Sequence, residues 1–228
     1  NENFIEISIE KRKLALRDGM PKIANLGPPS SPKTGVISAA LYKFIEDFSN
    51  NKKTKYKCIE DFLKNNYPDI KSLKSGEAII DYSKDIIDES TNAVKKLNSS
   101  FLLIQGPPGA GKTYTSAKII LNLIKDKKKV GINSNSHKAI NNLLLKIEEL
   151  AAEENFKFEG FKKSSKEIDK FNGKNIRESR IELVTKNCLI YAGTAWLFSD
   201  ARLDQKLDYV FIDEAGQVSL ANSIAIAT

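Results

Sequence analysis

The hydrophobic pattern of the chain changes near residue 100. Before that point apolar residues recur mostly at helical spacing, which predicts helices over 36–48, 58–65 and 78–97. An alternating run at 4–10 predicts one strand, and the prolines and glycines of 21–35 predict a loop. Residues 1–100 are therefore expected to form a mostly helical accessory region, in which no catalytic signature is visible.

After residue 100, short apolar runs alternate with helical patterns. Helical spacing is found at 112–125 and 137–151, and the runs of strand length are 101–104, 128–134, 187–193 and 207–213. The segment at about 152–180 is polar and weakly periodic, and we expect an insertion there. Alternation of strands and helices predicts an α/β fold with a parallel sheet and helices on both faces.

The composition narrows the class of protein. Of the 228 residues, 41% are hydrophobic and 29% are charged, as in a globular domain with a core of its own. No apolar run approaches the roughly 20 residues of a membrane span, and the polar, acidic start is unlike a signal peptide. Cys58 and Cys188 are far apart in sequence, which disfavours a disulfide framework and predicts a cytoplasmic protein.

Charge and chain ends add two expectations. The net charge of +7 is spread evenly over the chain, so a polyanionic partner is permitted but no basic tract demands one. The chain starts at Asn1 rather than at Met, and Val218 to Thr228 reads as a helix without a stop signal. We therefore expect these residues to be a fragment of a longer protein.

The strongest motif follows the apolar run that starts at Phe101. Gly106 to Thr113 match G-x-x-x-x-G-K-[ST], the Walker A phosphate loop, at every fixed position. Glycines let backbone N–H groups converge on a phosphate, and the next helix adds its positive amino terminus. Lys112 is expected to neutralise the β- and γ-phosphates of ATP, and Thr113 to bind Mg²⁺. The predicted nucleotide-binding residues are Gln105, Gly106, Pro107, Pro108, Gly109, Ala110, Gly111, Lys112, Thr113 and Tyr114.

A second motif ends the last predicted strand, where the sequence reads DEAGQ. An apolar strand that ends in two acids is the Walker B partner that a phosphate loop needs. We assign Asp213 to the Mg²⁺ shell and Glu214 to the attacking water. Gln217 lies at the start of the next element, where its amide is expected to sense the γ-phosphate.

Four motifs in this order resemble a known family. IQGPPGAGKT, SNSHKAINNLL, AGTAW and DEAGQ are similar to the motifs of superfamily 1 helicases, in the branch of the nonsense-mediated-decay helicase. Bacterial proteins with a RecB-like nuclease upstream of such a helicase resemble the chain most. The resemblance is strong over 101–228 and loose over 1–100. It implies that 101–228 is the first RecA-like ATPase domain of a helicase, truncated after motif II, which acts on single-stranded DNA rather than RNA.

The resemblance also implies contacts with nucleic acid. Ser136, His137 and Lys138 fall on motif Ia, and Thr194 falls on a Gly-Thr turn that touches the same strand. A polar helix amino terminus with a following lysine suits a phosphate backbone. For His137 a capping or surface role is an equal alternative. Trp196 is expected to fill the core, with base stacking as the alternative.

The chain departs from the family in three respects. Ala110 replaces a usual threonine, which should leave the loop intact, and Ser90 stands where many relatives have an adenine-reading glutamine. The family's second RecA-like domain and its arginine finger are not in these residues. We therefore expect the chain to bind Mg-nucleotide, to hydrolyse it very slowly and to unwind nothing.

Two other functions fit parts of the pattern. A protein-remodelling ATPase of the AAA+ type also uses a GPPGAGKT loop with an acidic pair, although DEAGQ and SNSHKA argue against it. A nucleotide-gated binding module would keep the loop but would not need Glu214 for turnover. Base selectivity, polarity of movement and the choice between DNA and RNA do not follow from the residues alone.

Overall fold

A parallel sheet organises the computed structural model, which describes residues 33–164 and 166–228. Residues from Thr34 to Thr228 form one compact unit. The sheet has the order β3-β2-β4-β1-β5, and every pair of neighbours is parallel. Its strands are β1 (Val130–Asn133), β2 (Glu159–Lys162), β3 (Ile176–Glu178), β4 (Cys188–Gly193) and β5 (Tyr209–Ile212). The strand predicted at 4–10 lies outside the described residues, as does most of the loop predicted at 21–35.

Seven α-helices accompany the sheet in the described part of the chain. They are α1 (Gly35–Asn50), α2 (Lys57–Leu63), α3 (Ile86–Lys95), α4 (Lys112–Lys125), α5 (His137–Glu153), α6 (Ala195–Phe198) and α7 (Leu220–Ala227). The helix predicted at 112–125 is confirmed with the same bounds, and those predicted at 36–48, 58–65 and 137–151 are confirmed with small shifts.

The helix predicted at 78–97 begins later than expected. Asp85 ends the preceding loop, and its carboxylate accepts hydrogen bonds of 2.9 Å from the backbone N–H groups of Ile87 and Asp88. This cap satisfies amides that have no partner within the helix, so α3 begins at Ile86.

Two hydrophobic cores lie on the two faces of the sheet. The first core combines α4 and α5 with Val94 of α3 and with Val130 and Ile132 of β1. The second core combines α6 and α7 with α1 and with Tyr191 of β4. Helices therefore cover both faces, as predicted, and the architecture is consistent with a RecA-like α/β domain. No helix in the described residues is long and apolar enough to cross a membrane.

The strand predicted at 101–104 is wrong. These residues belong to no strand, and 69% of Leu103 and 41% of Ile104 are exposed. Phe101 instead packs edge to face against Phe62, next to the end of α2, with ring centroids 5.5 Å apart. Its aromatic contact is thus made with the helical layer rather than with the sheet.

The segment at 152–180, predicted as an insertion, supplies two strands of the sheet. Phe161 in β2 and Ile176 in β3 are buried, whereas Glu159 and Arg177 are exposed. Both strands are short, and the buried residues of β2 include the charged Lys162, which is why the segment reads as polar. The boundary predicted near residue 100 stays a prediction, and helices on its two sides pack together, α1 with α7 and α3 with α4.

Gly131 in β1 offers a test of the packing on the second face. A Cβ atom there would lie 2.6 Å from the Phe198 ring and 2.9 Å from Leu207. Gly131→Ala should therefore lower the free energy of unfolding by about 1–3 kcal/mol, measured by urea denaturation. The control is Gly35→Ala, where a Cβ atom meets nothing within 4 Å and a helix favours alanine. Equal stability of the two variants would contradict this packing.

Candidate functional site

The predicted phosphate loop leads into the amino terminus of α4. Gly109 and Gly111 have positive φ angles of 79° and 81°, which residues with a side chain rarely adopt. No side chain of the described residues caps α4, and its first turn holds no acidic residue. The helix amides and dipole at this end are therefore suited to an anion.

Lys112 closes the loop on itself. Its ammonium group donates hydrogen bonds to the carbonyl oxygens of Gly106, at 2.6 Å, and Pro107, at 2.8 Å. The backbone N–H of Ala110 donates to the Pro107 carbonyl at 3.2 Å, and a Cβ atom on Gly106 would lie 3.3 Å from that of Ala110. Ala110 is thus part of the tight turn, and the expectation that alanine leaves the loop intact stays a prediction.

The other predicted nucleotide ligands are accessible. Gln105, Pro108, Thr113 and Tyr114 are exposed, so the Thr113 hydroxyl is open to a metal ion. The Tyr114 ring centroid lies 6.0 Å from the ammonium nitrogen of Lys118, one turn further along α4. The loop and the first turn of α4 together have the chemistry that a triphosphate requires: backbone amides, one cation and one hydroxyl.

The acidic pair follows β5 and is fastened to β1. The backbone N–H of Asp213 donates to the Asn133 carbonyl at 2.8 Å, which continues the ladder one residue beyond β5. The Asp213 carboxylate accepts a 3.0 Å hydrogen bond from the backbone N–H of Glu214. Glu214 is exposed and has a left-handed backbone, with φ of 53°. Such a conformation in a residue with a side chain costs about 1–3 kcal/mol and is found preferentially at functional positions.

Gln217 belongs to the turn that Glu214 begins. Its backbone N–H donates to the Glu214 carbonyl at 2.8 Å, within a short 3₁₀ helix at Ala215–Gln217. The side-chain amide of Asn135, two residues after β1, donates to the Gln217 carbonyl. The turn from Asp213 to Gln217 is thus anchored twice: Asn133 bonds its first residue and Asn135 bonds its last.

The structure brings these acids close to β1 but does not link them to the phosphate loop. Among the described residues, no hydrogen bond or ion pair joins the loop at 105–113 to Asp213 or Glu214. Asp213 is half-buried, and its second oxygen has the chemistry of a Mg²⁺ ligand. That Thr113 and Asp213 share one metal ion therefore stays a prediction.

The residues predicted to touch nucleic acid follow the carboxyl ends of β1 and β4, at the same end of the strands as the acidic pair. Asn133 ends β1, and its side-chain amide donates to the Gly193 carbonyl of β4 at 3.1 Å. Thr194 follows Gly193 directly, and Ser136 begins α5 as its cap, with its hydroxyl accepting from the N–H of Ala139 at 3.5 Å. Lys138 is exposed in the first turn of α5.

His137 lies in a buried polar environment that the sequence does not reveal. It is half-buried, and its Nδ1 atom has no hydrogen-bond partner in the described residues. Lys162, at the end of β2, is fully buried and donates to the Asp169 carbonyl. Burial lowers the pKa of His137, and the positive charge of Lys162 lowers that pKa further. Nothing in the polar segment around Lys162 marks it as a buried residue.

The exposure of two further residues, Trp196 and Ser90, bears on what the sequence predicts for them. Trp196 does not fill the core completely, because 37% of its surface is exposed in α6. Ser90, at the position of the adenine-reading glutamine, is only 8% exposed in α3. A buried serine is not accessible to a base.

Comparison with known proteins gives two findings. Residues 81–163 match a family of AAA domains, over the part of the chain that contains α3, the phosphate loop, α4, β1, α5 and β2. The chain is also 36% identical over 74 residues to the DNA replication ATP-dependent helicase/nuclease dna2 of Schizosaccharomyces pombe. That alignment covers 31% of this chain and only 5% of the yeast protein. The first match includes the whole phosphate loop, so the similarity to an AAA domain extends over the candidate nucleotide site.

His137 is the only histidine of the sequence, so its titration can be followed without ambiguity. We expect a pKa below the usual value of about 6.5 in an NMR titration. Since the pKa is lower in the folded state, the neutral ring stabilises the fold fully above pH ~6.5. That stability is lost as the pH falls through the folded pKa.

The variant Lys162→Met should raise the pKa of His137, because it removes a positive charge beside the ring. The control Lys186→Met changes an exposed lysine before β4 and should leave that pKa in place. A His137 pKa at or above 6.5 in the unmodified protein would contradict the buried environment.

Proposed function

We propose that this chain is the nucleotide-binding motor domain of a helicase or translocase that couples Mg-ATP hydrolysis to movement on single-stranded DNA. The observation that carries the proposal is the phosphate loop at the start of α4, with left-handed Gly109 and Gly111 and with Lys112 inside the loop. The AAA-domain match includes this loop, and the similarity to a DNA replication helicase/nuclease supports DNA as the substrate.

In this proposal the loop exchanges one set of partners for another. Lys112 releases the carbonyls of Gly106 and Pro107 and binds the β- and γ-phosphate oxygens. The helix amides from Gly111 onward donate to the same phosphates. The Lys112 ammonium group then pairs with anionic phosphate oxygens instead of neutral carbonyl oxygens, which favours the nucleotide-bound form.

The acidic turn supplies the remaining chemistry. Thr113 and Asp213 would hold Mg²⁺, which screens the charge of the phosphates when it is bound. Glu214 accepts a proton from the attacking water, and its exposed position makes it accessible to solvent. Gln217 contacts the γ-phosphate from the turn that Asn135 holds.

The proposal also includes contacts with single-stranded DNA and with further domains. Ser136, His137, Lys138 and Thr194 contact the single strand at the carboxyl edge of the sheet. A second RecA-like domain provides the arginine finger, which is worth roughly 10³–10⁵ in rate, so the 228 residues alone bind nucleotide without unwinding. The yeast relative is a helicase/nuclease, which supports an associated nuclease domain in the full-length protein.

Lys112→Ala tests the phosphate loop. Loss of a charged donor should weaken binding of Mg-ATP by about 1.5–3 kcal/mol, which is roughly 10- to 100-fold in the dissociation constant. Binding is measured by titration with a fluorescent ATP analogue. The matched control is Lys125→Ala, which changes a lysine at the far end of the same helix that pairs with Glu154. Equal effects of the two substitutions would count against the loop as the nucleotide site.

Glu214→Gln separates a motor from a nucleotide-gated module. If Glu214 is the general base, the variant retains nucleotide and loses about 10²- to 10⁴-fold in turnover. The measurement is DNA-stimulated ATP hydrolysis by the full-length protein, with Glu153→Gln at the end of α5 as the control. Unchanged turnover would assign a gating role, and absence of stimulation by single-stranded DNA would favour a protein-remodelling ATPase.

A further inference from the structure

The chain reaches the phosphate loop through a bend at residues 98–101, shortly after the end of α3. Ser99, within this bend, has a left-handed backbone with φ of 48°. Residues with a side chain rarely adopt this conformation, and it persists only where the surrounding contacts enforce it. The contacts on the two sides of Ser99 are therefore the reason that the bend keeps its shape.

A short antiparallel pairing holds the chain before the bend. Ile70 pairs with Leu97, and the backbone N–H of Asn98 donates to the Asp69 carbonyl at 2.9 Å. Only 5% of Ile70 is exposed, so this pairing is packed as well as hydrogen-bonded. The residues that follow α3 are thus attached to the loop between α2 and α3.

Asp69 contacts both sides of the bend. Its carboxylate accepts a hydrogen bond of 2.9 Å from the side-chain amide of Asn98, and its backbone N–H donates to the Ser100 hydroxyl at 3.1 Å. The same carboxylate oxygen accepts a bond of 3.0 Å from the Lys57 ammonium group. Asp69 thus holds the residue before Ser99 and the residue after it at once.

Helix α2 completes this set of bonds, which we call the Asp69 network. The Lys57 ammonium group donates to the Asp61 carboxylate at 2.8 Å and to the Asn98 carbonyl at 3.4 Å. Asp61 is only 8% exposed, and the same oxygen accepts a bond of 3.2 Å from the Ser100 hydroxyl. Lys57 therefore lies between two carboxylates, and the connected bonds strengthen one another.

The chain after the bend is held much less. The Phe101 ring packs on Phe62 of α2, but residues 101–105 make no hydrogen bond within the described part of the chain. The next hydrogen-bonded point is Gly106, whose carbonyl accepts from Lys112. The bend is therefore the last point at which hydrogen bonds hold the backbone before the phosphate loop.

We infer that the Asp69 network positions the phosphate loop, which makes Lys57, Asp61 and Asp69 positioning residues of the nucleotide site. The inference rests on the proposed function, because it takes Mg-nucleotide as the ligand of the loop. Binding costs less conformational entropy when the loop starts from a fixed point, since fewer residues must be ordered around the phosphates. The helical region before residue 100 thus contributes to nucleotide binding without touching the nucleotide.

Asp69→Ala tests the inference, because it removes the carboxylate that accepts from Lys57 and Asn98 and keeps the backbone bonds of residue 69. The side chain is 42% exposed, so we expect the fold to tolerate its loss. Binding of fluorescent ATP and GTP analogues with Mg²⁺ is measured by titration of the 228-residue chain. The dissociation constant should rise about fivefold to tenfold, the cost of ordering roughly one more residue, and by the same factor for both nucleotides.

Two further variants make the comparison specific. Asp69→Asn keeps an oxygen acceptor at the same place and should recover part of the lost affinity. The matched control is Asp126→Ala, which also breaks an aspartate–lysine pair, that with Lys95 at 2.6 Å, but just after the far end of α4. This control should leave the dissociation constant unchanged.

The inference is overturned if Asp69→Ala keeps its affinity, if Asp126→Ala loses as much, or if the losses for ATP and GTP differ. It is also overturned if Asp69→Ala loses affinity only near its thermal midpoint, because the network then supports the fold alone. The proposed function fails separately, if the unmodified chain does not bind Mg-ATP or if Lys112→Ala binds it equally well.

Discussion

Asn133 is the residue on which the functional edge of this sheet depends. It is fully buried at the end of β1, the strand between β4 and β5. Its side-chain amide holds the Gly193 carbonyl at 3.1 Å, and its own carbonyl holds the N–H of Asp213 at 2.8 Å. One residue thus sets the positions of Thr194 and of the acidic pair together, since each follows a strand end that Asn133 fastens.

Several buried polar atoms near Asn133 have no hydrogen-bond partner among the described residues. The Asn133 side-chain oxygen is buried and has no partner in the described residues, and the same holds for His137 Nδ1 and Glu178 Oε2. A buried polar atom without a partner costs about 1–3 kcal/mol. Native proteins keep few such atoms, and three of them lie at this one edge of the sheet. Three such atoms at one end of the sheet make it a candidate for contacts with ligands.

How much the sequence predicts depends on whether a signal is local. The bounds of α4 follow from a glycine turn before it and a helical pattern within it, and both are local. The apolar run at Phe101 fails as a strand because four apolar residues do not specify their partner, and here the ring packs on Phe62. The burial of Lys162 was not predictable, because it depends on the pairing of β2 with β3 and β4, a matter of strand register.

The two halves of the proposed site differ in how freely they can respond to a ligand. The acidic turn and the nucleic-acid edge are attached to a close-packed sheet whose central strands are fully buried, so they move little relative to each other. The segment from Leu103 to Gly111 is exposed for most of its length and is held by few side chains. Since weakly packed segments open at low cost, nucleotide binding is expected to rearrange this loop rather than the sheet.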